Sequence, residues 1–351
     1  MLKKIFISIL SILIIFSLSA CSNNTLFNDD CDLYNNDIIN NYFQMYVSDG
    51  KSNSYLSTSK FLYNINNKNI YESFSDTNHS VKNLNYFKNT LYYLNESTGN
   101  LCCLDENKNE KIIKENIENY VIANNKVYFY KYTDNNKLEI LTNKNELYNI
   151  PNIDQNKFIF VDLKTLYYIG RDPKNINDDI KSDLIYHYDL KKNKINTEIN
   201  LKDIKNIKGE NLSNYEIVDF NVADNYIYIF IKYSNKILLL KYDLNNKHYT
   251  FLNQKYLKDS EDYYSCYYTH KNAYLITKDE DNFYIYKDNL KGKSINKPLI
   301  TIYNKLGTRG EDLDLLAINK KNILINSRLG QERSHLFLYD YNGKFIEDKI
   351  L

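Results

Sequence analysis

A short phrase recurs along the chain, and it restricts the fold more than any other feature. In each copy an apolar strand leads to Tyr or a substitute, then to Asp or Asn, and then to a turn rich in Asn and Lys. The copies lie at 62–68, 101–108, 138–144 (degenerate), 186–192, 240–247, 285–290 and 337–342. Their anchoring Asp or Asn residues, at positions 64, 105, 143, 189, 243, 288 and 340, are 38 to 54 residues apart. The chain is therefore predicted to consist of repeated units of that size.

The unit around the fifth copy predicts four consecutive strands joined by tight turns. The strands are predicted at 215–222, 226–233, 236–243 and 248–252, and the turns are rich in Asp and Asn. Tyr226 to Ile231 is apolar at every position, as expected for a strand that is buried on both faces. Repeats of about 40 to 50 residues made of short strands are typical of propeller blades, which stack radially and so bury their apolar faces.

We therefore predict an all-β fold with little helix over residues 37–351. The predicted architecture is a single β-propeller of about seven four-stranded blades, with six or eight blades as alternatives and an open β-solenoid as the alternative fold. The first copy shows strands at 42–47 and 61–65 but leaves its strand count open. The last copy ends in a strand at 345–350.

The N-terminus has the three parts of a secretory signal. Lys3 and Lys4 give a positive start, residues 5–18 form an apolar run broken only by serines, and the run ends in Ser19-Ala20-Cys21. The run is shorter than the roughly 20 residues that a membrane-spanning helix needs. Residues 1–20 are predicted to be a signal peptide, and residues 21–36 a polar tether.

The sequence Leu18-Ser19-Ala20-Cys21 resembles the lipobox of bacterial lipoproteins. The resemblance implies that the thiol of Cys21 receives a diacylglyceryl group, that the signal is cut before it, and that the new N-terminus is acylated. Two acyl chains hold a protein stably at a bilayer where one does not. The expected location is the extracytoplasmic face of a cell membrane, and the alternative is an ordinary cleaved signal followed by a chance cysteine.

Composition excludes one class of partner and indicates a source. The chain has 45 Lys and Arg against 44 Asp and Glu, a net charge of +1, which gives no reason to expect nucleic acid as a partner. Asn, Lys, Ile and Tyr are abundant and are encoded by AT-rich codons, which is typical of a low-GC, Gram-positive bacterium.

Four cysteines remain besides Cys21, namely Cys31, Cys102, Cys103 and Cys266. They show no CxxC spacing and are interpreted as free or buried thiols, with their disulfide state left open.

Two phrases support a further resemblance. Residues 91–95 (Leu-Tyr-Tyr-Leu-Asn) and 166–170 (Leu-Tyr-Tyr-Ile-Gly) are each followed by an apolar strand and an Asp turn. They look like the propeller repeats of Firmicute surface lipoproteins, which are loosely related to TolB-like and YWTD-type propellers. The resemblance implies a binding or scaffolding role and supplies no catalytic residue. The chain has no tryptophan, so no WD or YWTD motif is present.

The sequence contains no familiar catalytic or metal-binding motif. GxSxG, HExxH, a P-loop and an EF-hand loop are all missing. The five histidines, at 79, 187, 248, 270 and 335, are scattered and are interpreted as strand or turn residues. The acidic run at 279–282 is interpreted as a solvated hairpin turn. We therefore predict no catalytic residues, no metal and no cofactor.

Long loops locate a candidate binding face. In a four-stranded blade, the loop between the second and third strands and the loop to the next blade emerge on the same side. The predicted long loops all fall on that side, at 171–182, 201–214, 253–262, 303–312 and 327–334. Binding and catalytic residues are disproportionately found on such loops. All four arginines lie in them, and arginine favours bidentate contacts with carboxylate or phosphate. The candidate ligand-binding residues are Arg171, Arg309, Arg328, Arg333, Glu311 and Asp312, with ion pairing among them as the alternative role.

The leading functional hypothesis is a non-catalytic, monomeric binding or scaffolding module. It would bind a protein, peptide or cell-wall polymer near the membrane. One alternative is a propeller enzyme, a lyase or hydrolase acting on glycan, which would need converging acids in its funnel. Another is a structural accessory of an envelope complex.

Overall fold

The computed structural model describes most of the chain from residue 38 to residue 350. The described residues are 38–40, 46–48, 53–57, 62–66, 69–71, 81–104, 109–123, 126–133, 137–142, 147–150, 153–160, 165–170, 183–204, 207, 209, 211–258, 260–269, 271–292, 297–303, 313–318, 321–329 and 333–350. Within them the regular structure is β-strand, apart from two short 3-10 helices at Leu201–Asp203 and Leu212–Asn214. No helix among these residues is long and apolar enough to cross a membrane.

The strands form sheets that follow one another along the chain, and we label them A to G in chain order. Sheet A contains β2 (Tyr46–Ser48), β3 (Asn53–Ser57), β4 (Leu62–Asn66) and β5 (Asn69–Tyr71). Sheet B contains β6 (Val81–Phe87), β7 (Thr90–Asn95), β8 (Asn100–Leu104) and β9 (Glu110–Lys114). Sheet C contains β10 (Asn119–Ala123), β11 (Lys126–Thr133), β12 (Lys137–Thr142) and β13 (Leu147–Ile150).

Sheet D has an additional strand, taken from the start of the described chain. It contains β14 (Ile153–Phe160), β15 (Thr165–Gly170), β16 (Leu184–Asp189) and β17 (Lys194–Asn200), and β1 (Ile38–Asn40) pairs antiparallel with β14. Sheet E contains β18 (Glu216–Ala223), β19 (Tyr226–Tyr233), β20 (Lys236–Asp243) and β21 (His248–Tyr256). Sheet F contains β22 (Asp262–Tyr268), β23 (Ala273–Lys278), β24 (Asn282–Asp288) and β25 (Ile300–Tyr303). Sheet G contains β26 (Leu313–Ile318), β27 (Asn322–Leu329), β28 (Arg333–Asp340) and β29 (Phe345–Ile350).

The architecture is a single β-propeller with four-stranded blades, as predicted, but the blade count needs correction. Six sheets have four strands each, and sheet D has five. Six blades therefore have four strands, which is the alternative count predicted, where seven four-stranded blades were expected. Sheet D departs from the expectation because β1, a strand that the sequence pattern did not predict, extends its ladder at β14.

The first strand of each sheet lies toward the axis. First strands of consecutive sheets approach one another, as β2 does with β6, β6 with β10, β14 with β18, and β18 with β22. The fourth strands therefore lie at the outside, and the outermost strand of sheet B, β9, is exposed at every position. Since β1 pairs with the free edge of β14, it lies on the axial side of sheet D.

Apolar side chains fill the space between neighbouring sheets. In β19, Ile227, Ile229 and Ile231 are buried against the side chains of sheet D, whereas Phe230 points the other way and packs with Tyr268 of sheet F. The prediction that this strand is buried on both faces is confirmed. Similar clusters join sheets B and C, C and D, and F and G.

The repeated phrase marks the third strand of each sheet. The anchoring aspartates Asp189, Asp243, Asp288 and Asp340 are the last residues of β16, β20, β24 and β28. Each side chain then accepts hydrogen bonds from backbone N–H groups of the following turn. For Asp243 the donors are Asn245 and Asn246, at 2.8 and 3.1 Å. The repeat is therefore an Asx turn that closes the hairpin between the third and fourth strands.

The backbone N–H donors lower the pKa of Asp243, because they stabilise the charged carboxylate. We expect Asp243→Ala to speed hydrogen exchange at Asn245 and Asn246 and to lower the melting temperature modestly. Asp243→Asn should keep both properties close to those of the native protein, since an amide oxygen can still accept these bonds. Amide exchange followed by mass spectrometry would measure the effect, and equal exchange in the Ala and Asn variants would contradict this role.

The short turns use residues that tolerate positive φ. The turn between β18 and β19 has Asp224 and Asn225 at φ 50° and 65°, and the turn between β6 and β7 has Lys88 and Asn89 at 49° and 58°. Positive φ at both central residues is the geometry of a type I′ hairpin, which suits the twist of the flanking strands. The turn predicted at 223–225 is therefore confirmed.

Gly343 lies in the last hairpin of sheet G and touches sheet F. Its φ is +85°, and its N–H donates to the carbonyl of Asp340 at 2.9 Å. A Cβ on this residue would lie 2.2 Å from the carbonyl oxygen of Leu299, just before β25. The turn therefore has room only for glycine.

Three of the cysteines are described. Cys102, Cys103 and Cys266 are buried thiols outside any disulfide, as interpreted from their spacing. Burial is the main reason why the pKa of Cys102 is raised to about 12, so this thiol stays protonated at neutral pH. Cys31 lies outside the described residues.

Candidate functional site

The antiparallel strand order places the loops on two opposite sides. Connections between second and third strands, and between consecutive sheets, emerge on one side, which we call the long-loop side. The hairpins closed by Asx turns emerge on the other. Binding residues of rigid scaffolds are disproportionately found on such loops, so a binding site is expected on the long-loop side.

A cleft of about 650 Å³ lies between sheets B and C, and the connection that joins these sheets borders it on the long-loop side. Its walls come from the end of β9, the connection between β9 and β10, and the central residues of β11 and β12. The lining residues are Lys114, Asn116, Ile117, Glu118, Phe129, Tyr130, Lys131, Glu139, Leu141 and Leu147. Its volume lies in the range of typical ligand pockets.

The floor of the cleft is an apolar row across three strands. Phe129 of β11 pairs with Leu141 of β12, and Leu141 pairs with Leu147 of β13. Directly paired residues of antiparallel strands point to the same side of a sheet, so the three side chains form one surface facing sheet B. Ile117 packs against the same cluster. Leu147 is exposed, which leaves the outer end of the row open to a ligand.

Backbone hydrogen bonds fix one wall of the cleft. The N–H of Ile117 donates to the carbonyl of Gly99 at 2.8 Å, and the N–H of Gly99 donates to the carbonyl of Asn95 at 2.9 Å. The side chain of Asn95 in turn accepts from the N–H of Ser97 at 3.0 Å. The connection between the sheets is therefore tied to the turn of sheet B, and the cleft is largely pre-formed.

The rim of the cleft carries charges of both signs. Lys131 pairs with Glu139 across the strands at 3.0 Å, and both side chains remain partly exposed. Lys114 and Glu118 are also exposed at the opening. An apolar floor with a mixed-charge rim suits a ligand that has an apolar anchor and both hydrogen-bond donors and acceptors. A polyanion has no preferred orientation on such a rim.

A second polar cluster on the long-loop side is closed to ligands and joins sheets E and F. Glu261 and Lys255 form an ion pair at 3.0 Å, with side chains 1% and 6% exposed. Glu261 also accepts hydrogen bonds from the N–H of Lys258 at 2.9 Å, from the hydroxyl of Tyr286 at 3.1 Å and from the hydroxyl of Thr277. These partners occupy the carboxylate, so the cluster has a structural role.

The pKa values of the pair reflect two opposing effects. Burial alone would raise the pKa of Glu261, but the hydrogen bonds from Lys258, Thr277 and Lys255 outweigh it, and the pKa is lowered. Burial lowers the pKa of Lys255, and Glu261 opposes that change. The carboxylate is thus the firmly charged member of the pair.

Other buried carboxylates also link neighbouring sheets. Asp219 of β18 accepts hydrogen bonds from the hydroxyls of Tyr263 and Tyr268 in β22, at 3.0 and 3.2 Å. Glu198 of β17 pairs with Lys247 in a hairpin of sheet E. Although burial raises the pKa of Glu198, its hydrogen bonds from His187 and Lys247 outweigh burial and lower it. These acids stabilise the contacts between neighbouring sheets. Their carboxylates are already bound by the partners named above, so they are assigned a structural role.

The predicted arginine site is only partly described. Arg171, Arg309, Glu311 and Asp312 lie outside the described residues, so their predicted role stays a prediction. Arg328 and Arg333 were placed in a long loop, and that placement is wrong. Arg328 lies in β27 and Arg333 in β28, because the β27–β28 ladder continues through the pairs Arg328↔Ser334 and Leu329↔Arg333.

Two other predicted loops differ from the structure. The connection 201–214 contains both 3-10 helices, with Leu201, Ile204 and Leu212 buried between sheets D and E. The predicted loop 253–262 is shorter, since β21 continues to Tyr256. Cys21, the predicted signal peptide and the predicted tether lie outside the described residues.

The acidic run and the described histidines behave as interpreted. Asp279 accepts hydrogen bonds from the N–H groups of Asp281 and Asn282 at 2.9 and 2.7 Å, which makes it a turn residue. His187, His248 and His335 lie in strands. In the part of the chain that is described, no group of three His, Cys, Asp or Glu residues could hold a metal ion.

The residues of the cleft were not predicted from the sequence. Phe129, Leu141 and Leu147 have the pattern of ordinary core positions, and only their register reveals that the row reaches the surface. The alternation of exposed and less exposed positions in β13 could have indicated that Leu147 is exposed. No sequence pattern, however, indicates that a cleft lies between sheets B and C.

Comparisons with known proteins show the fold alone. No protein-family model and no curated protein matches the chain. Among solved structures, the AfRom2 CNH domain is similar, with a TM-score of 0.53 and 10% identity over 85% of this chain and 94% of that one. Oligogalacturonate lyase from Vibrio parahaemolyticus is similar with a TM-score of 0.52 and 12% identity, over 90% of this chain and 92% of that one. The chain is a β-propeller protein.

Proposed function

We propose that this propeller is a lipid-anchored extracytoplasmic module that binds a peptide segment of a partner protein in the cleft between sheets B and C. The lipobox-like sequence that ends in Cys21 supports the anchor. The cleft carries the binding role, because it combines an apolar floor, a pre-formed wall and a rim of both charges. The proposed role is non-catalytic, as the resemblance to the propeller repeats of surface lipoproteins implies.

A peptide suits both the apolar floor and the charged rim of the cleft. An apolar side chain can enter between Ile117 and the row of Phe129, Leu141 and Leu147. The peptide's amide groups and charged side chains can then contact Lys114, Lys131, Glu118 and Glu139 at the rim. Interfaces of this kind depend on a few buried anchors surrounded by polar contacts.

We expect Leu147→Lys to weaken partner binding about tenfold, since it places a charge where an apolar anchor is buried. Crosslinking of an epitope-tagged, natively anchored copy followed by mass spectrometry would identify the partner and measure its recovery. Ile112→Lys is the matched control, because Ile112 is an exposed aliphatic residue of the outer strand β9 that does not line the cleft. Equal recovery with both variants would exclude the cleft as the binding site.

The same experiment includes a test of the anchor. Cys21→Ser should move the protein from the membrane fraction to the soluble fraction while leaving binding to the isolated partner unchanged. If the variant stays with the membrane fraction, the lipid anchor is wrong, whatever the result for the cleft.

A further inference from the structure

A row of aromatic and basic side chains crosses sheet E at its long-loop edge. Tyr233 at the end of β19 pairs with Lys236 at the start of β20, and Lys236 pairs with Tyr256 at the end of β21. Directly paired residues share one side of an antiparallel sheet, so the three side chains form one row. We call Tyr233, Lys236 and Tyr256 the tyrosine row.

Both tyrosines are held in place yet exposed. Tyr233 is 43% exposed and Tyr256 57% exposed. The ring of Tyr233 packs against the buried ring of Tyr215, with centroids 5.3 Å apart. The ammonium of Lys236 lies 5.2 Å from the ring centroid of Tyr256, a cation–π distance. Rings that are already ordered lose little entropy when they bind a ligand.

The surroundings of the row are polar. The turn that joins Tyr233 to Lys236 consists of the exposed Ser234 and Asn235, and the carbonyl of Asn235 accepts a bond from the N–H of Leu257 at 2.7 Å. The half-buried Gln254 lies on the same side of the sheet, paired with Leu238. Protein interfaces have a contiguous apolar core, whereas here two separate rings lie among hydrogen-bonding groups.

The spacing of the rings fits linked sugars. Since adjacent strands lie about 4.8 Å apart, the backbones of Tyr233 on β19 and Tyr256 on β21, which flank β20, are separated by ~10 Å. That separation is comparable with the disaccharide repeat of an extended β-linked chain, in which each pyranose ring has an apolar C–H face and a hydroxyl edge. The positive charge of Lys236 between them suits a carboxylate on the sugar.

We propose that the tyrosine row is a binding site for a linear β-linked glycan that carries carboxylates. Two sugars with one sugar between them stack on Tyr233 and Tyr256, and Lys236 contacts a carboxylate of the middle sugar. Gln254 and the turn residues Ser234 and Asn235 can hydrogen-bond the hydroxyl edges. The site lies on sheet E and does not depend on the cleft between sheets B and C.

Isothermal titration of the full chain tests this site, with a hyaluronan oligosaccharide as the acidic probe and a chitin oligosaccharide of the same length as the neutral probe. We expect Tyr233→Ala and Tyr256→Ala each to weaken binding of both probes ~10-fold or more, because each removes a stacking surface. Lys236→Gln should weaken the acidic probe about tenfold and leave the neutral one unchanged.

The controls separate this site from a general effect of exposed aromatics or of unfolding. Tyr303→Ala removes a tyrosine of sheet F that is 64% exposed and lies outside the row, and it should leave both affinities unchanged. Tyr256→Phe keeps the ring and should retain binding, with thermal unfolding measured for every variant. If neither probe binds the native protein, the proposal is wrong. It is also wrong if Tyr303→Ala weakens binding of the probes as much as Tyr233→Ala and Tyr256→Ala do.

Discussion

Replacing Glu261 with Gln is expected to lower the free energy of unfolding by about 3–5 kcal/mol, because it leaves the ammonium of Lys255 buried without a counter-ion. The Lys255 side chain is 6% exposed, so water cannot replace the lost carboxylate. Since the pair joins β21 to the connection before sheet F, the loss should affect the contact between these two sheets first. Equilibrium denaturation in urea would measure it.

Removing both charges provides the matched control. A double variant, Lys255→Met with Glu261→Gln, should recover more than half of the lost stability, because buried ion pairs can often be replaced without large cost when both partners go. The Gln oxygen can still accept from Tyr286 and Thr277. If the single and double variants are equally unstable, the buried charge of Lys255 is not the cause.

The same variant should change the dependence of stability on pH. The pKa of Glu261 is lower in the folded protein than in the unfolded chain. Its contribution is therefore fully present above the unfolded value of about 4.3 and is lost as the pH falls through the folded value. Glu261→Gln should accordingly show a shallower loss of melting temperature below about pH 4.3 than the native protein.

Gly343→Ala is expected to destabilise the protein by about 2–4 kcal/mol. A φ of +85° is unfavourable for alanine, and the new Cβ would lie 2.2 Å from the carbonyl oxygen of Leu299. Relief would require the last hairpin of sheet G to move away from sheet F. Thermal and chemical denaturation would report the change.

Gly209 offers a comparison because it shares the positive φ of Gly343 but not the close contact with a neighbouring sheet. Its φ is +84°, but a Cβ there would have no described neighbour within 4 Å. Gly209→Ala should therefore cost only the conformational strain, about 1 kcal/mol. If the two variants lose the same stability, the contact with Leu299 contributes nothing.

The strand pattern was largely predictable because it depends on local chemistry. The strands predicted at 226–233 and 236–243 match β19 and β20, since the turn residues Asp224 and Asn225 and the Asx turn at Asp243 delimit them. The phrase ending at Asp243 repeats because each third strand needs the same turn closure. Local features of this kind are visible in a sequence without knowledge of the rest of the fold.

Features that depend on distant parts of the chain were not predictable. Nothing in residues 38–40 indicates pairing with β14, and this pairing is what gives sheet D its unexpected fifth strand. The pair Lys255–Glu261 has the appearance of two surface charges in sequence, and only the packing of sheet F buries it. Likewise, Arg328 and Arg333 were assigned to a loop, whereas the β27–β28 ladder continues through them.

The strand β1 has a mechanical consequence. In the other sheets, every ladder is built from one stretch of chain, so a load on one stretch is first borne within its own sheet. Ile38 instead pairs with Ile159, in the middle of the sequence. Tension applied through the preceding N-terminal residues would therefore reach sheet D before it reaches sheet A, although sheet A follows β1 directly in the chain.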